Sequence, residues 1–226
     1  MEKSACFPGN RSVGDLLGIL VESPEPVLFS PPRRINTRNR TSNDMLFSDA
    51  DIKVALASGR IRFSVPVKEA DIRPTGVRVH LAGTIACPEN VGDVVDFRDI
   101  QDSLYRNVSL DTEGFTLRRG QFVLASTVER VFTAPDIVAQ LDGRSTLARL
   151  GVLIHCGSMM IDNVHEEFRS ITLEFANVGA YDVKLRPGDC VGMLFFSALG
   201  CRIEQHASPQ YRGQSHVMPP KVLKVS

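Results

Sequence analysis

The chain has 226 residues, a length that one all-β domain with an additional arm can fill. Lysine and arginine together number 26, as do aspartate and glutamate, so the overall charge gives no reason to expect a nucleic acid or an anionic membrane as partner. No apolar run reaches the roughly 18 residues that a membrane helix needs. The five cysteines form no CxxC pair, and we expect a protein of the reducing cytoplasm without a disulfide scaffold.

Residues 1–44 are expected to form an N-terminal extension outside the folded domain. A short helix is predicted at residues 13–21, and the prolines that follow fix φ and remove donors that a sheet would need. Residues 33–40 then carry four arginines and no acid. A flexible surface arm is the favoured interpretation, and an arm that binds a partner subunit or nucleic acid is the alternative.

The compact domain, residues 45–226, is predicted to begin with a short helix. Ser48 and Asp51 have the spacing of a capping box, in which each side chain caps the backbone N–H of the other residue. Gly59 is expected to end this helix. Its apolar face is marked by Ile52, Ala55 and Leu56.

Short strands dominate the rest of the sequence. The predicted strands are residues 77–81, 115–117, 122–125, 129–132, 171–175 and 191–196. Turn signals at Arg119-Gly120 and at residues 186–189 separate some of them. A second short helix is predicted at residues 145–150, before Gly151. This pattern predicts a mainly β domain, a distorted barrel or jelly roll with a few short helices.

Residues 141–151, with the sequence LDGRSTLARLG, carry the most chemical information. Gly143 allows close backbone approach, and two arginines and two hydroxyl groups follow around one helical turn. Arg144 and Arg149 are five residues apart and would point in different directions. One could bind phosphate while the other reaches a base or a water molecule. From the residues alone, a surface helix with solvated arginines explains the segment equally well.

Residues 142–151 resemble the signature of dCTP deaminases, a family of the trimeric dUTPase-like superfamily. The dUTPase branch usually lacks counterparts of Arg149 and Glu174, so the presence of both favours deamination. The resemblance covers roughly residues 45–215. Its other segments are residues 45–59, 117–125, 135–139, 171–177, 185–195 and 211–214.

The resemblance implies a dUTPase-like barrel that forms a homotrimer with active sites shared between neighbouring chains. It implies hydrolysis of dCTP to dUTP and ammonia, with Glu174 as general acid and base. Ser145 and Arg149 correspond to the residues that position the water and stabilise developing charge. Asp162 corresponds to an aspartate that lies against the deoxyribose 3′-hydroxyl. The other substrate-binding candidates are Arg144, Thr146, Tyr211 and Gln214, the last two on a tail that closes over the triphosphate.

No zinc site is expected. Zinc-dependent deaminases need an H-x-E and a P-C-x-x-C segment, and neither occurs in this sequence. His155 and Cys156 are adjacent, but a strand is predicted there, which would direct them to opposite faces. Mg²⁺ is expected as a partner of the substrate triphosphate.

The sequence departs from the family pattern around the expected base pocket. Met160 stands in place of an arginine, residues 163–170 form a longer and more charged loop, and Gln210 stands where a basic residue is usual. A modified cytosine or altered feedback control would fit such a pocket. The alternatives to a monofunctional deaminase are an enzyme that also hydrolyses dUTP to dUMP and pyrophosphate, a dUTPase alone, and a nucleotide-binding protein without catalysis.

Overall fold

The computed structural model describes residues 46–89, 92, 94–100, 102–161, 164–205, 211 and 213–221. The predicted N-terminal arm lies outside these ranges, as do its predicted helix at residues 13–21 and its arginines at residues 33–40. The arm therefore stays a prediction.

Helix α1 spans Asp49–Ala57 and begins where the sequence predicts. The Ser48 hydroxyl accepts a hydrogen bond from the Asp51 backbone N–H at 3.3 Å, and the Asp51 carboxylate accepts one from the Ser48 N–H at 3.0 Å. The helix ends before Gly59, which has a φ of +71°. The predicted capping box and helix end are both confirmed.

Strands make up most of the described chain. They are β1 (Ile61–Phe63), β2 (Ile72–Arg73), β3 (Gly76–Pro88), β4 (Tyr105–Ser109), β5 (Phe115–Leu117), β6 (Phe122–Thr133), β7 (Ile137–Gly143), β8 (Val152–Leu153), β9 (Met160–Ile161), β10 (Arg169–Asn177), β11 (Val183–Leu185) and β12 (Cys190–Ala198). Helix α2 spans Ser145–Arg149, and single 3₁₀ turns lie at Glu69–Asp71 and Asp102–Leu104.

Ten of these strands form one curled, antiparallel sheet, and β5 pairs with β11 in a second. The main path runs β8-β10-β6-β3-β12-β7-β9; β1 adds to β6, and β2 and β4 add to β3. Side chains on the inner face form the apolar core, which includes Leu81, Leu141, Leu173 and Phe196. This architecture confirms the predicted mainly β, barrel-like fold class.

The prediction of two separate strands at residues 122–125 and 129–132 was wrong, because both belong to the single strand β6. The polar residues Ser126 and Thr127 suggested a break between two strands, but both are buried. The Thr127 hydroxyl donates to the Glu129 carbonyl at 2.7 Å and accepts from the Ile171 N–H at 3.1 Å. Internal hydrogen bonds thus let polar side chains occupy the middle of a long, irregular strand.

The described residues contain no helix that is long and apolar enough to cross a membrane.

Candidate active site

Glu174 lies in the middle of β10, on the face of the sheet opposite the core. Its neighbours Leu173 and Phe175 are buried in the core, so alternation along the strand directs Glu174 the other way. Glu174 is half-buried and is paired in register with Leu124 of β6. The strand therefore presents one carboxylate on a largely apolar surface.

A backbone amide holds the carboxylate of Glu174 in place. The Cys156 N–H donates to Glu174 Oε2 at 2.7 Å, and the Glu174 N–H donates to the Ile154 carbonyl at 2.8 Å. Within the described part of the chain, no hydrogen bond reaches Oε1. The arrangement orients the carboxylate and leaves one of its oxygens available to a ligand.

The prediction that His155 and Cys156 lie in a strand was wrong. β8 ends at Leu153, and both residues lie in the following loop. The loop turns away from the sheet ladder, and the Cys156 N–H bonds the Glu174 side chain instead of a neighbouring strand. His155 Nε2 lies 3.3 Å from Asp142 Oδ1 at the end of β7.

A small apolar cluster borders Glu174 on the outer face of the sheet. Its buried members are Ala86, Leu124 and Val217, against which Tyr105 and Phe122 pack. Burial, and then the negative charge of Glu174, raise the pKa of Tyr105. The cluster therefore brings an aromatic ring from β4 and a C-terminal valine to the surroundings of the carboxylate.

The signature segment forms the end of β7 and helix α2. The predicted second helix is confirmed to within one residue, since Leu150 follows Arg149 as its C-cap. Both arginines of the segment were predicted to lie around one helical turn, and this was wrong for Arg144. It precedes the helix as its N-cap residue, in an extended conformation. Its Nη1 donates to the Cys190 carbonyl at 3.2 Å.

The polar side chains of α2 face outward. Ser145, Thr146 and Arg149 are exposed, while Leu147 is buried. In the described residues, no hydrogen bond or ion pair joins Glu174 to Ser145, Arg144 or Arg149. Within the described part of one chain, the three predicted catalytic residues are thus not joined by hydrogen bonds or ion pairs.

Two glycines fix the position of α2 relative to β10. Gly151 has a φ of +79°, and a Cβ there would lie 2.3 Å from Gly179 Cα. A Cβ at Gly179 would in turn lie 1.9 Å from the Leu150 carbonyl oxygen. The loop after α2 and the loop after β10 therefore meet backbone to backbone, which explains the glycine at the predicted helix stop.

Replacing Gly151 by alanine is expected to lower the free energy of unfolding by more than about 3 kcal/mol, because a strained φ and a backbone clash act together. Gly59→Ala is the matched control: its φ is +71°, but nothing lies within 4 Å of the added Cβ. It should cost only about 1 kcal/mol. Urea unfolding of both variants measures the difference, and equal losses would show that the close approach at Gly151 does not constrain α2.

The C-terminal residues reach the same face of the sheet as Glu174. Gln214 is 6% exposed, and its Nε2 donates to the Thr172 hydroxyl at 2.6 Å, two residues before Glu174. The Tyr211 hydroxyl accepts from the Lys221 N–H at 3.1 Å. Of the two tail candidates, Gln214 is thus brought to the neighbourhood of Glu174. Asp162 lies outside the described residues.

Sequence reasoning missed the surroundings of Glu174. Cys156 contributes a backbone N–H, which carries no side-chain signal. Tyr105 and Val217 lie far from the signature segment in sequence, and a lone aromatic or valine gives no sign of which strand it will meet. Thr172 lies two residues before Glu174 on the same predicted strand, so period-two alternation could have placed it on the same face.

Comparison with known proteins agrees with the resemblance. A family model described as dCTP deaminase-like matches residues 46–199. A protein of Beutenbergia cavernae named "dCTP deaminase, dUMP-forming" is 36% identical over 163 residues, which are 71% of this chain and 83% of the relative. A protein of the same name from Kocuria rhizophila is 38% identical over 162 residues, 71% and 83% of the two chains.

A more distant protein with that name, from Methanosphaera stadtmanae, is 31% identical over 189 residues, 80% of this chain and 93% of the relative. Among solved structures, the 2′-deoxycytidine 5′-triphosphate deaminase of Agrobacterium tumefaciens aligns with a TM-score of 0.54 and 14% identity. The alignment covers 69% of this chain and 49% of that one, and it supports the fold.

Proposed function

Because this chain belongs to the dCTP deaminase-like family, we propose that it removes the 4-amino group of dCTP by hydrolysis, with Glu174 as the residue that transfers protons. The observation that carries the proposal is the fixed carboxylate of Glu174. The Cys156 N–H holds one of its oxygens, and the other oxygen is directed at no described partner.

The reaction makes three demands on a carboxylate. A water molecule must lose a proton as it attacks C4 of the base, N3 must gain a proton, and the departing amino group must leave as ammonia. Water supplies the oxygen and both hydrogens, so dCTP and water yield dUTP and ammonia without an oxidant or reductant. One carboxylate within hydrogen-bond reach of the water, N3 and the amino group can carry these protons in turn.

We propose that Ser145 and Arg149 act on the Glu174 of a neighbouring chain in a homotrimer. Both side chains are exposed, and within the described residues no hydrogen bond or ion pair joins them to the Glu174 of their own chain. A hydroxyl and a guanidinium group can orient the attacking water and stabilise negative charge that develops during the attack. An exposed helix of polar residues is the form in which such groups can be offered to another subunit.

The remaining candidates are proposed as substrate-binding residues. Arg144 and Thr146 flank Ser145 and would bind the triphosphate, which carries Mg²⁺ as part of the substrate. Gln214 donates a hydrogen bond to Thr172, which lies two residues before Glu174 on β10. The Gln214 amide would therefore lie near the base. Tyr211 would contact the phosphates from the tail, and Asp162 the deoxyribose.

We propose further that the product is dUMP with pyrophosphate. The sequence left open an enzyme that also hydrolyses dUTP to dUMP and pyrophosphate. The name "dUMP-forming" that the relatives share favours this alternative over release of dUTP. The pocket that holds the deaminated base would then keep dUTP bound while water attacks the triphosphate.

Incubating the purified chain with dCTP and Mg²⁺ is expected to give dUMP, ammonia and pyrophosphate in equal amounts, with no accumulation of dUTP. Chromatography of the nucleotides, together with assays for ammonia and pyrophosphate, measures all four species. A parallel reaction with a zinc chelator should run at the same rate.

Each other outcome contradicts a named part of the proposal. Accumulating dUTP with ammonia but no pyrophosphate would retain deamination and exclude dUMP formation. Conversion of added dUTP without any turnover of dCTP would make the chain a dUTPase. Turnover of neither nucleotide would contradict catalysis altogether and favour a binding protein.

A further inference from the structure

We propose that Glu167 and Arg169 form a clasp that docks the C-terminal segment, Tyr211 and residues 213–221, beside Glu174. Glu167 lies in the longer, charged loop that precedes β10, and Arg169 is the first residue of that strand. They are positioning residues, since Glu167 holds the backbone at Gly213, Arg169 holds Glu167, and neither acts on the reacting atoms. The inference deepens the proposed function, on which it rests only for its kinetic consequence.

Arg169 places a positive charge inside the protein. Its side chain is 2% exposed, and none of its guanidinium N–H groups has a hydrogen bond within the described residues. Its ion pair is with Glu167, where Nη2 lies 3.0 Å from Oε1 in a direction unsuited to a hydrogen bond. A buried cation with one partner holds that carboxylate strongly, because leaving the charge unpaired is costly.

The same carboxylate oxygen of Glu167 also receives the tail. The Gly213 N–H donates to Glu167 Oε1 at 2.8 Å, so one oxygen serves both the buried arginine and the C-terminal backbone. A hydrogen bond from an amide to a charged carboxylate is stronger than one between neutral groups. Arg169 therefore fixes Glu167, and Glu167 fixes the backbone at Gly213.

Two further contacts extend the docked segment toward Glu174. The Ser170 N–H donates to the Gln214 carbonyl at 3.1 Å, and Gln214 Nε2 donates to the Thr172 hydroxyl at 2.6 Å. Val217 is then fully buried against Leu124, the register partner of Glu174. The tail thus runs from the clasp to the apolar cluster that borders the carboxylate.

The loop that carries the clasp is itself anchored. Val164 is buried, and its carbonyl accepts from the Thr133 N–H at 3.1 Å. Phe168, between the two clasp residues, packs against Phe132, and the Arg62 guanidinium lies over both rings. These contacts hold Glu167 and Arg169 in the position from which Glu167 accepts the Gly213 N–H.

Hydrogen exchange of the full chain without nucleotide, followed by mass spectrometry, tests the clasp. Glu167→Ala should exchange the amides of residues 213–217 about tenfold faster than the parent chain, since it removes the acceptor at Gly213. Glu167→Gln keeps a neutral acceptor, so its exchange rates should lie between those of the parent chain and those of Glu167→Ala. Glu113→Ala, which breaks only an exposed pair with Lys184, should leave the tail unchanged.

Exchange in β6 separates the clasp from general loosening of the fold. If Glu167→Ala accelerates the tail and β6 equally, or leaves the tail within about twofold of the parent, the clasp is contradicted. The kinetic readout is a KM for dCTP raised about tenfold, with kcat within about twofold. A parent chain that does not turn over dCTP would contradict the proposed function, while the exchange measurement would still decide the clasp.

Discussion

Replacing Glu174 by glutamine is expected to lower kcat for dCTP deamination on the order of a thousandfold, with little change in the thermal unfolding midpoint. The glutamine carbonyl can still accept the hydrogen bond that Glu174 Oε2 accepts from Cys156 at 2.7 Å, so the loop after β8 should keep its position. What the amide cannot do is take a proton from water and return it to N3 and to the amino group. The loss therefore measures proton transfer alone.

Glu113→Gln is the matched control for this substitution. Glu113 is exposed, lies in the turn before β5, and pairs with Lys184 at 3.0 Å. The same chemical change there should leave the rate of ammonia release within about twofold of the parent rate. If the rate of ammonia release by Glu174→Gln stays within about tenfold of the parent rate, Glu174 is not the proton carrier.

Local features of the fold could be predicted from the sequence because their causes are local. The box formed by Ser48 and Asp51 fixes the start of α1, and Gly59 fixes its end. Helix α2 was predicted in the same way, from a short helical run that ends at a glycine. In each case the residues that determine the element are neighbours in the sequence.

The middle of the sheet was harder to predict because tertiary contacts decide it. Ser126 and Thr127 have the polarity of a turn, yet both are buried within β6, where the Thr127 hydroxyl accepts a hydrogen bond from the Ile171 N–H of β10. Arg169 is a similar case, since arginine is seldom fully buried and its burial depends on Glu167. Neither outcome follows from propensity or alternation.

The candidate site likewise combines residues that the sequence identifies with contacts that only the fold creates. Glu174, Ser145 and Arg149 could be named from the sequence because the resemblance lies in their side chains. The Cys156 amide that orients Glu174 could not, since every residue but proline has one. In the described part of one chain, no hydrogen bond or ion pair joins Glu174 to Arg149. This supports the prediction, implied by the resemblance, that two chains complete each site.

Mixing two inactive variants is expected to restore deamination to about a quarter of the parent activity, if each site takes Arg149 from one chain and Glu174 from another. Arg149→Ala and Glu174→Gln should each be inactive alone. In an equimolar mixture that is unfolded and refolded together, a site is intact only when a Glu174→Gln chain contributes Arg149 and an Arg149→Ala chain contributes Glu174. Random assembly meets each condition in half of the cases, independently.

The alternative is that substrate draws Arg149 onto the Glu174 of its own chain. Every chain in the mixture then lacks one of the two residues, and no activity should return. Arg149 is exposed, but the backbone contact between Gly151 and Gly179 holds α2 and resists its movement relative to β10. Ammonia release from the refolded mixture, compared with the two variants refolded separately and then combined, distinguishes the arrangements. Recovery only after joint refolding means that neighbouring chains build the site together, and no recovery would refute the shared site.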